Sequence, residues 1–344
     1  MKNISLISFA DLSVEKRKIK SEFFKQINHI LTWSEIEIEI EKHYKKGLSA
    51  DGRPSYPGLT LFKILLLQNW YGLSDYEVED SVNDRISFSQ FVGLSLEDKS
   101  PDHSVISRFR NALTQKNAFE KLLQLVNKQL ESHCIIVIKG AIIDASITDS
   151  PRKPRGKKEY ELIENSNTDE QLEKMNKAVE KVQTHVDTDA KWVKKAGRLR
   201  FGYKKNCITD EHGLILGVHT TSANVNEVSN LEEVLSKCAL KKGTRLKGDK
   251  GYKSEKNDMI LKEKGLINHI MLKDTRGTKL RESQKRFNKL ISKIRYKIER
   301  TFGSIKRWFK TGEAKYVGLE RTHTQHILEA IAYNLYRSPK IEIV

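Results

Sequence analysis

An α/β protein preceded by an all-helical segment is what this sequence predicts, on three observations. Up to about residue 135 the apolar residues recur at helical spacing, with turns marked by Gly and Pro. The pattern changes at Cys134, after which IIVIKGAIID (135–144) is rich in β-branched residues. From there strands alternate with helices, the order that builds one helix-covered sheet rather than a bundle or a sandwich.

In the first part the spacing predicts helices over Glu15–Leu31 and Trp33–Lys46, then a turn-rich stretch, DGRPSYPG (51–58). Leu59–Tyr71 is an apolar helix closed by Gly72, and Ser74 with Glu77 three positions on forms a capping box for the next. Helices over Ser104–Leu113 and Phe119–Ser132 follow, the former with Pro101 near its first turn. Short helices joined by tight turns, with Arg108 and Arg110 expected to be exposed, suit a helix presented to DNA. They suit a plain assembly domain equally, so residues 1–135 are read as a helical DNA-binding or assembly domain.

Residues 136–344 are read as the α/β domain. Its first strand is expected to run from Ile135 through Asp144 to about Thr148. A basic insertion at about 151–195 then breaks the pattern with PRKPRGKK and the mixed-charge run ENSNTDEQLEKMNKAVEK, expected to hold one helix. Strands Phe201–Thr209 and Leu214–Thr221 are joined by the turn DEHG (210–213). Helix Asn230–Cys238, strand Thr244–Lys247, helix Glu255–Lys264 and strand Ile267–Leu272 come next. A long helix over Ser283–Lys310 and another over His323–Tyr336 complete the reading.

The bulk properties exclude several classes. A net charge of +17 over 344 residues, with a mean hydropathy of -0.57, makes a polyanion the expected partner. No apolar run approaches the ~20 residues of a membrane span, so no membrane partner is expected. The N-terminus carries charge too early for a secretory segment, and Cys134, Cys207 and Cys238 lack CxxC spacing. A reduced, cytoplasmic setting without structural zinc follows. No GxxxxGK[ST] run occurs, so no nucleotide cofactor is expected, and the scattered histidines form no metal site.

The late helix carries the most information. Arg281–Lys310 holds eleven Lys or Arg against two acidic residues, Glu282 and Glu299. Leu290, Ile294, Ile298, Phe302, Ile305 and Phe309 mark its apolar stripe, while Arg295, Glu299, Gly303 and Lys306 fall near one face. Two aspartates have matching context: Asp144 ends the strand AIID, and Asp249 follows a short strand between Gly248 and Gly251. Such carboxylates hold hard divalent cations, and a pair of ions ~4 Å apart serves in-line phosphoryl transfer. Each residue alone is equally well explained as a turn, cap or solvated-face residue; Asp149, on the opposite face by alternation, is a lesser candidate.

IIDASITDS (142–150), DTDAKWVKKAGRLRFGYKKN (187–206), GDKGY (248–252) and RYKIERTFGSIKRW (295–308) together resemble the DDE transposases of bacterial insertion sequences, in the group named after insertion sequence five. GLTLFKILLLQNWYGLSDYEVEDSVNDRISFSQFVGL (58–94) and SPDHSVISRFR (100–110) resemble the family's amino-terminal domain, so the resemblance covers roughly residues 15–337. It implies a ribonuclease-H-like mixed sheet flanked by helices. It also implies an acidic triad, here Asp144, Asp249 and Glu299, binding two Mg²⁺ ions with Mn²⁺ able to substitute. Arg295 and Lys306 match the basic positions around the glutamate, whereas Ser292 stands where the family often has tyrosine.

The implied function is a transposase that cleaves DNA at element ends and joins the 3′-OH to target DNA by two-metal phosphoryl transfer. Its partners would be double-stranded DNA with terminal inverted repeats, target DNA and further copies of the chain in a homo-oligomer on DNA. Lys204, Arg295, Arg300 and Lys306 would contact phosphates, with an ordinary edge lysine the other reading of Lys204. Trp192 would stack on an unpaired base or anchor the insertion. A metal-dependent nuclease without strand transfer, or a DNA-binding protein without catalysis, are the alternatives.

Overall fold

The computed structural model describes residues 18–44, 56–95, 97–155, 160–163, 177–180, 185–274 and 279–342. Among the described residues seven helices precede the sheet: α1 Lys18–Ile30, α2 Trp33–Glu41, α3 Gly58–Tyr71, α4 Asp75–Asp84, α5 Ile86–Val92, α6 His103–Gln115 and α7 Ala118–Ser132. Gly72 ends α3 at φ +63°, and the Ser74–Glu77 capping box opens α4, both as their residue types require. The short α5 was not singled out from sequence; Gly93 at φ +84° stops it after seven residues.

Two expectations for this part fail. Arg110 is not exposed: it is 4% accessible and paired through both guanidinium nitrogens with Asp75, tying α6 to α4. Residues 135–138 are not strand either, because the amides of Ile135 and Ile136 fold back onto the Leu130 carbonyl at the end of α7. Both isoleucines are buried there, so their β-branched character serves a helix cap rather than a sheet.

The α/β part builds one mixed sheet. Its strands are β1 Gly140–Asp149, β4 Lys191–Lys195, β5 Arg198–Thr209, β6 Ile215–Ser222, β7 Arg245–Gly248 and β8 Ile267–Ile270, while β2 Tyr160–Ile163 and β3 Lys177–Glu180 stand apart from it. The order is β4-β5-β1-β7-β8, with β6 beside β5. Strand β1 runs antiparallel to β5 and parallel to β7, which is parallel to β8. Helices α8 Leu231–Ser236 and α9 Glu255–Glu263 lie between the later strands in sequence, and α10 Glu282–Phe309 and α11 Leu319–Arg337 follow them. This is the ribonuclease-H-like mixed sheet flanked by helices and preceded by a helical region.

The helical part and the sheet share one buried apolar cluster, from Ile27 through Leu65 and Leu130 to Ile142, Ile208 and Ile331. Helix α11 is the spine of that contact: the Trp70 indole donates to the Ala332 carbonyl, and Asn334 bridges Ile215 and Asn127. On α10 the buried stripe is Ile291, Ile298, Phe302, Ile305 and Phe309, whereas Leu290 is 61% exposed, one position round from where it was expected. In the insertion, Tyr160–Ile163 pairs with Lys177–Glu180 as a two-stranded sheet. The one helix expected in the insertion is not found among its described residues: Lys177–Glu180 of the mixed-charge run is strand, and the rest of that run lies outside the described residues. The Asp187 amide donates to the Arg152 carbonyl and the Tyr203 hydroxyl to the Asp187 carboxylate, which ties the insertion's base to the core.

Candidate active site

The register of the sheet sets two aspartates side by side. Ile143 pairs with Gly248 in parallel, so the residues that follow, Asp144 and Asp249, emerge at neighbouring points of β1 and the end of β7. Gly248 permits that approach, since a Cβ there would stand 2.8 Å from the Ile143 side chain. Asp249 then begins a single 3-10 turn, Lys250–Tyr252, with the Tyr252 amide closing on its carbonyl.

Helix α10 crosses this edge and brings Arg295 between the carboxylates. One Arg295 Nη2 donates to Asp144 Oδ2 at 2.6 Å and lies 3.5 Å from Glu299 Oε1; Nη1 lies 3.4 Å from Asp249 Oδ1. Three carboxylates from three elements therefore converge on one guanidinium. Burial lowers the tendency of Arg295 to stay charged, but Asp144, then Asp249 and Glu299, more than offset it and hold its pKa above the ordinary value. The side chains differ in access: Asp144 is 10% exposed, Asp249 31% and Glu299 60%. Asp144 is also the best fixed, its other oxygen accepting from the Ala145 amide.

The remaining basic residues expected near phosphate are spread more widely. Lys306 Nζ donates to the Ile147 carbonyl of β1, and burial with Arg200 and Lys205 nearby pulls its pKa down to about 8. Lys204 is buried on the opposite face of β5, donating to the Val225 carbonyl, with burial lowering its pKa. Arg300 points to the β5–β6 turn, where it donates to the His212 carbonyl. Asp149 pairs with Arg200 through both oxygens, away from Asp144 along a continuous strand.

Two residues at this edge were not singled out from sequence. Glu227, in the turn Glu227–Asn230, has Oε2 within 3.0 Å of the Cβ position at Gly251, beside Asp249. Tyr252 is fully buried, and its hydroxyl has no hydrogen-bond partner among the described residues. Burial, then the negative charges of Glu227 and Asp144, raises its pKa well above the ordinary value. The signal for Tyr252 was present in GDKGY, but nothing in the sequence brings Glu227 to that loop.

As a donor set, carboxylates alone are the hard-oxygen ligands that divalent cations of the Mg²⁺ type take. Among the described residues, no group of three or more His, Cys, Asp or Glu is spaced closely enough to hold an ion in this arrangement. The guanidinium of Arg295 stands as the cation between them. No helix among the described residues is long and apolar enough to cross a membrane.

Comparison with known proteins agrees with this architecture in both halves. Residues 12–112 match the family model described as Transposase domain (DUF772), and residues 138–335 match the one described as Transposase DDE domain. The chain is 36% identical over 233 residues to the transposase for insertion sequence element IS1106 of Neisseria meningitidis serogroup B, covering 67% of this chain and 76% of that protein. No solved structure matches the chain. A catalytic-domain match across more than half of the sequence, with a relative this similar, settles the family: the chain belongs to the DDE transposases of bacterial insertion sequences.

Proposed function

We propose that this transposase cleaves DNA at the ends of its own insertion sequence and joins the freed 3′-OH to target DNA, with Asp144, Asp249 and Glu299 as its acidic triad. The observation that carries the reading is the convergence of those three carboxylates on Arg295 from β1, the β7 end and α10. The donor set suits a pair of Mg²⁺ ions, or Mn²⁺ in their place, which when bound supply the positive charge that activates an attacking oxygen and stabilises a leaving one.

The chain's own groups then have separable tasks. Asp144 is the fixed member, oriented by Arg295 and the Ala145 amide, while the more exposed Asp249 and Glu299 can adjust to a substrate phosphate. Arg295 offsets repulsion among the carboxylates and is placed to meet a phosphate oxygen by a charge-assisted bond. Lys306 and Arg300 extend positive charge along α10, and Lys204 supports the Val225 loop from beneath. In this reading residues 1–135 bind DNA or assemble copies of the chain, and residues 136–344 carry out the chemistry. The partners are the terminal inverted repeats and target DNA, engaged by a homo-oligomer.

The test is a gel assay on duplexes carrying the inverted repeats that flank the coding region, with Mg²⁺ present. Joined products longer than the substrate are expected beside cut ones. Cut products alone, with pre-cut ends never joined, would make the protein a nuclease. Metal-independent binding without cleavage would remove the catalytic reading.

A further inference from the structure

The β4–β5 hairpin outgrows the sheet it starts from. Strand β1 ends at Asp149, opposite Gly202, so the segment of β5 from Arg198 to Phe201 has β4 on one edge and, among the described residues, no strand on the other. The turn between them is tight, with Ala196 and Gly197 both at positive φ, 50° and 77°, the twist that closes a two-residue hairpin. Every residue from Lys191 to Arg200 is exposed or half-exposed, on both faces of the ribbon.

The register sorts those faces. Directly paired residues share a side, so Lys191, Val193 and Lys195 stand with Gly202, Arg200 and Arg198, while Trp192 and Lys194 stand with Phe201 and Leu199. One face is therefore cationic. The other has Phe201 buried at its base and exposes Trp192 at 44% and Leu199 at 69% toward the tip. Arg200 is spent on Asp149 and Lys195 reaches Glu227 at 3.5 Å, but Lys194 and Arg198 at the tip make no ion pair among the described residues. The ribbon is thereby tied at its base to Asp149 on β1 and, through Lys195 near its turn, to Glu227 next to the Asp249 turn.

We propose that the Lys191–Phe201 ribbon is a duplex-DNA arm, lying in a groove of the DNA that flanks the reacting phosphate, with Lys194 and Arg198 on backbone phosphates. This rests on the reading of the protein as one that acts on DNA. A two-stranded antiparallel ribbon has the dimensions the major groove admits, and exposure on both faces leaves it free to enter. The charge at the tip suits a polyanion, and the exposed Trp192 and Leu199 offer apolar contact to base edges. No base sequence is specified by these residues.

The experiment measures binding of the full-length chain to a mixed-sequence 30-bp duplex, by fluorescence anisotropy at several salt concentrations. The double variant Lys194→Glu, Arg198→Glu is compared with wild type. Because both side chains are exposed and unpaired among the described residues, the fold should tolerate the change; Lys194→Gln, Arg198→Gln is the milder variant should it not. The expected result is affinity weaker by roughly tenfold or more and a log–log salt slope shallower by about 2, near 0.9 for each phosphate contact removed. Wild-type affinity and slope in either variant would overturn the arm while leaving the DNA-acting reading in place. Failure of the wild-type chain to bind duplex at all would overturn that reading, and the arm with it. A changed oligomeric state in Leu199→Ser, with duplex binding intact in all variants, would assign the ribbon to contacts between copies instead.

Discussion

Two clusters of charge stand on one face of the sheet and are built in opposite ways. At Arg295 three carboxylates share a guanidinium, and their exposure rises from 10% at Asp144 to 60% at Glu299. Farther along the sheet Lys205 pairs with Glu329 of α11 at 2.6 Å, at 2% and 0% exposure, and Gln325 donates to the second Glu329 oxygen. Beside it His326 is enclosed between the hydroxyls of Thr148 and Thr220, with burial pushing its pKa far below the ordinary value. A sealed pair with its acceptors filled locks α11 to β5 and cannot exchange partners with solvent. The open cluster keeps its carboxylates within reach of water, ions and phosphate, as the proposed reacting site requires.

Breaking each cluster should separate these roles. Glu329→Ala leaves the Lys205 ammonium buried without its partner and is expected to cost about 3–5 kcal/mol of folding stability. Glu299→Ala, at an exposed position, should cost under about 1 kcal/mol. Urea unfolding of both variants is the measurement; equal losses would dissolve the distinction.

A second comparison uses the counter-charge itself. Arg295→Ala leaves three carboxylates facing one another, so Mg²⁺ should stabilise this variant more than it stabilises wild type. With Mg²⁺ tenfold above its Kd the gain is about 1.4 kcal/mol, read as a rise in Tm against NaCl of equal ionic strength. The same response in both proteins would mean that Arg295 does not compete for the carboxylates.

The smallest effect concerns Glu120 on α7, which accepts from Lys237 and His323 at the far end of the polar column under α11. Burial opposes its ionisation, but His323 and Lys237 outweigh it and bring its pKa down to about 2. With the folded pKa below the unfolded one, its stabilisation is fully present above the unfolded value, about 4.5, and fades as pH falls toward 2. The Tm difference between wild type and Glu120→Gln should therefore shrink from pH 7 to pH 3; a constant difference would contradict the charged contact.

How much of this was legible in the sequence follows from the range of the interactions. Local signals were reliable: Gly72, the Ser74–Glu77 box and the periodicity of α10 each act within a few residues. Asp249 was found because a strand end and flanking glycines mark it locally, and Glu299 because it is isolated among cations. Asp144 was found because it closes the apolar run AIID, although it lies mid-strand in a β1 that continues to Asp149. What failed depended on distant partners. Arg110 reads as a surface residue until Asp75, 35 residues earlier, is brought against it. Nothing local marks Lys205 as buried until Glu329, 124 residues away, meets it in the core. The β4 strand was hidden because its residues are charged and exposed, so they carry no apolar alternation to betray a ribbon.

The central claim is that the carboxylates gathered on Arg295 serve catalysis and not binding. Asp249→Asn tests it most directly, since the volume is nearly kept while the charge that would hold a divalent ion is removed. Band-shift and Mg²⁺-dependent joining assays are run in parallel on duplexes carrying the element's own ends. DNA affinity is expected to persist, or to rise as repulsion from phosphate falls, while cleavage and joining are lost together. Joining at the wild-type level by Asp249→Asn would contradict the assignment.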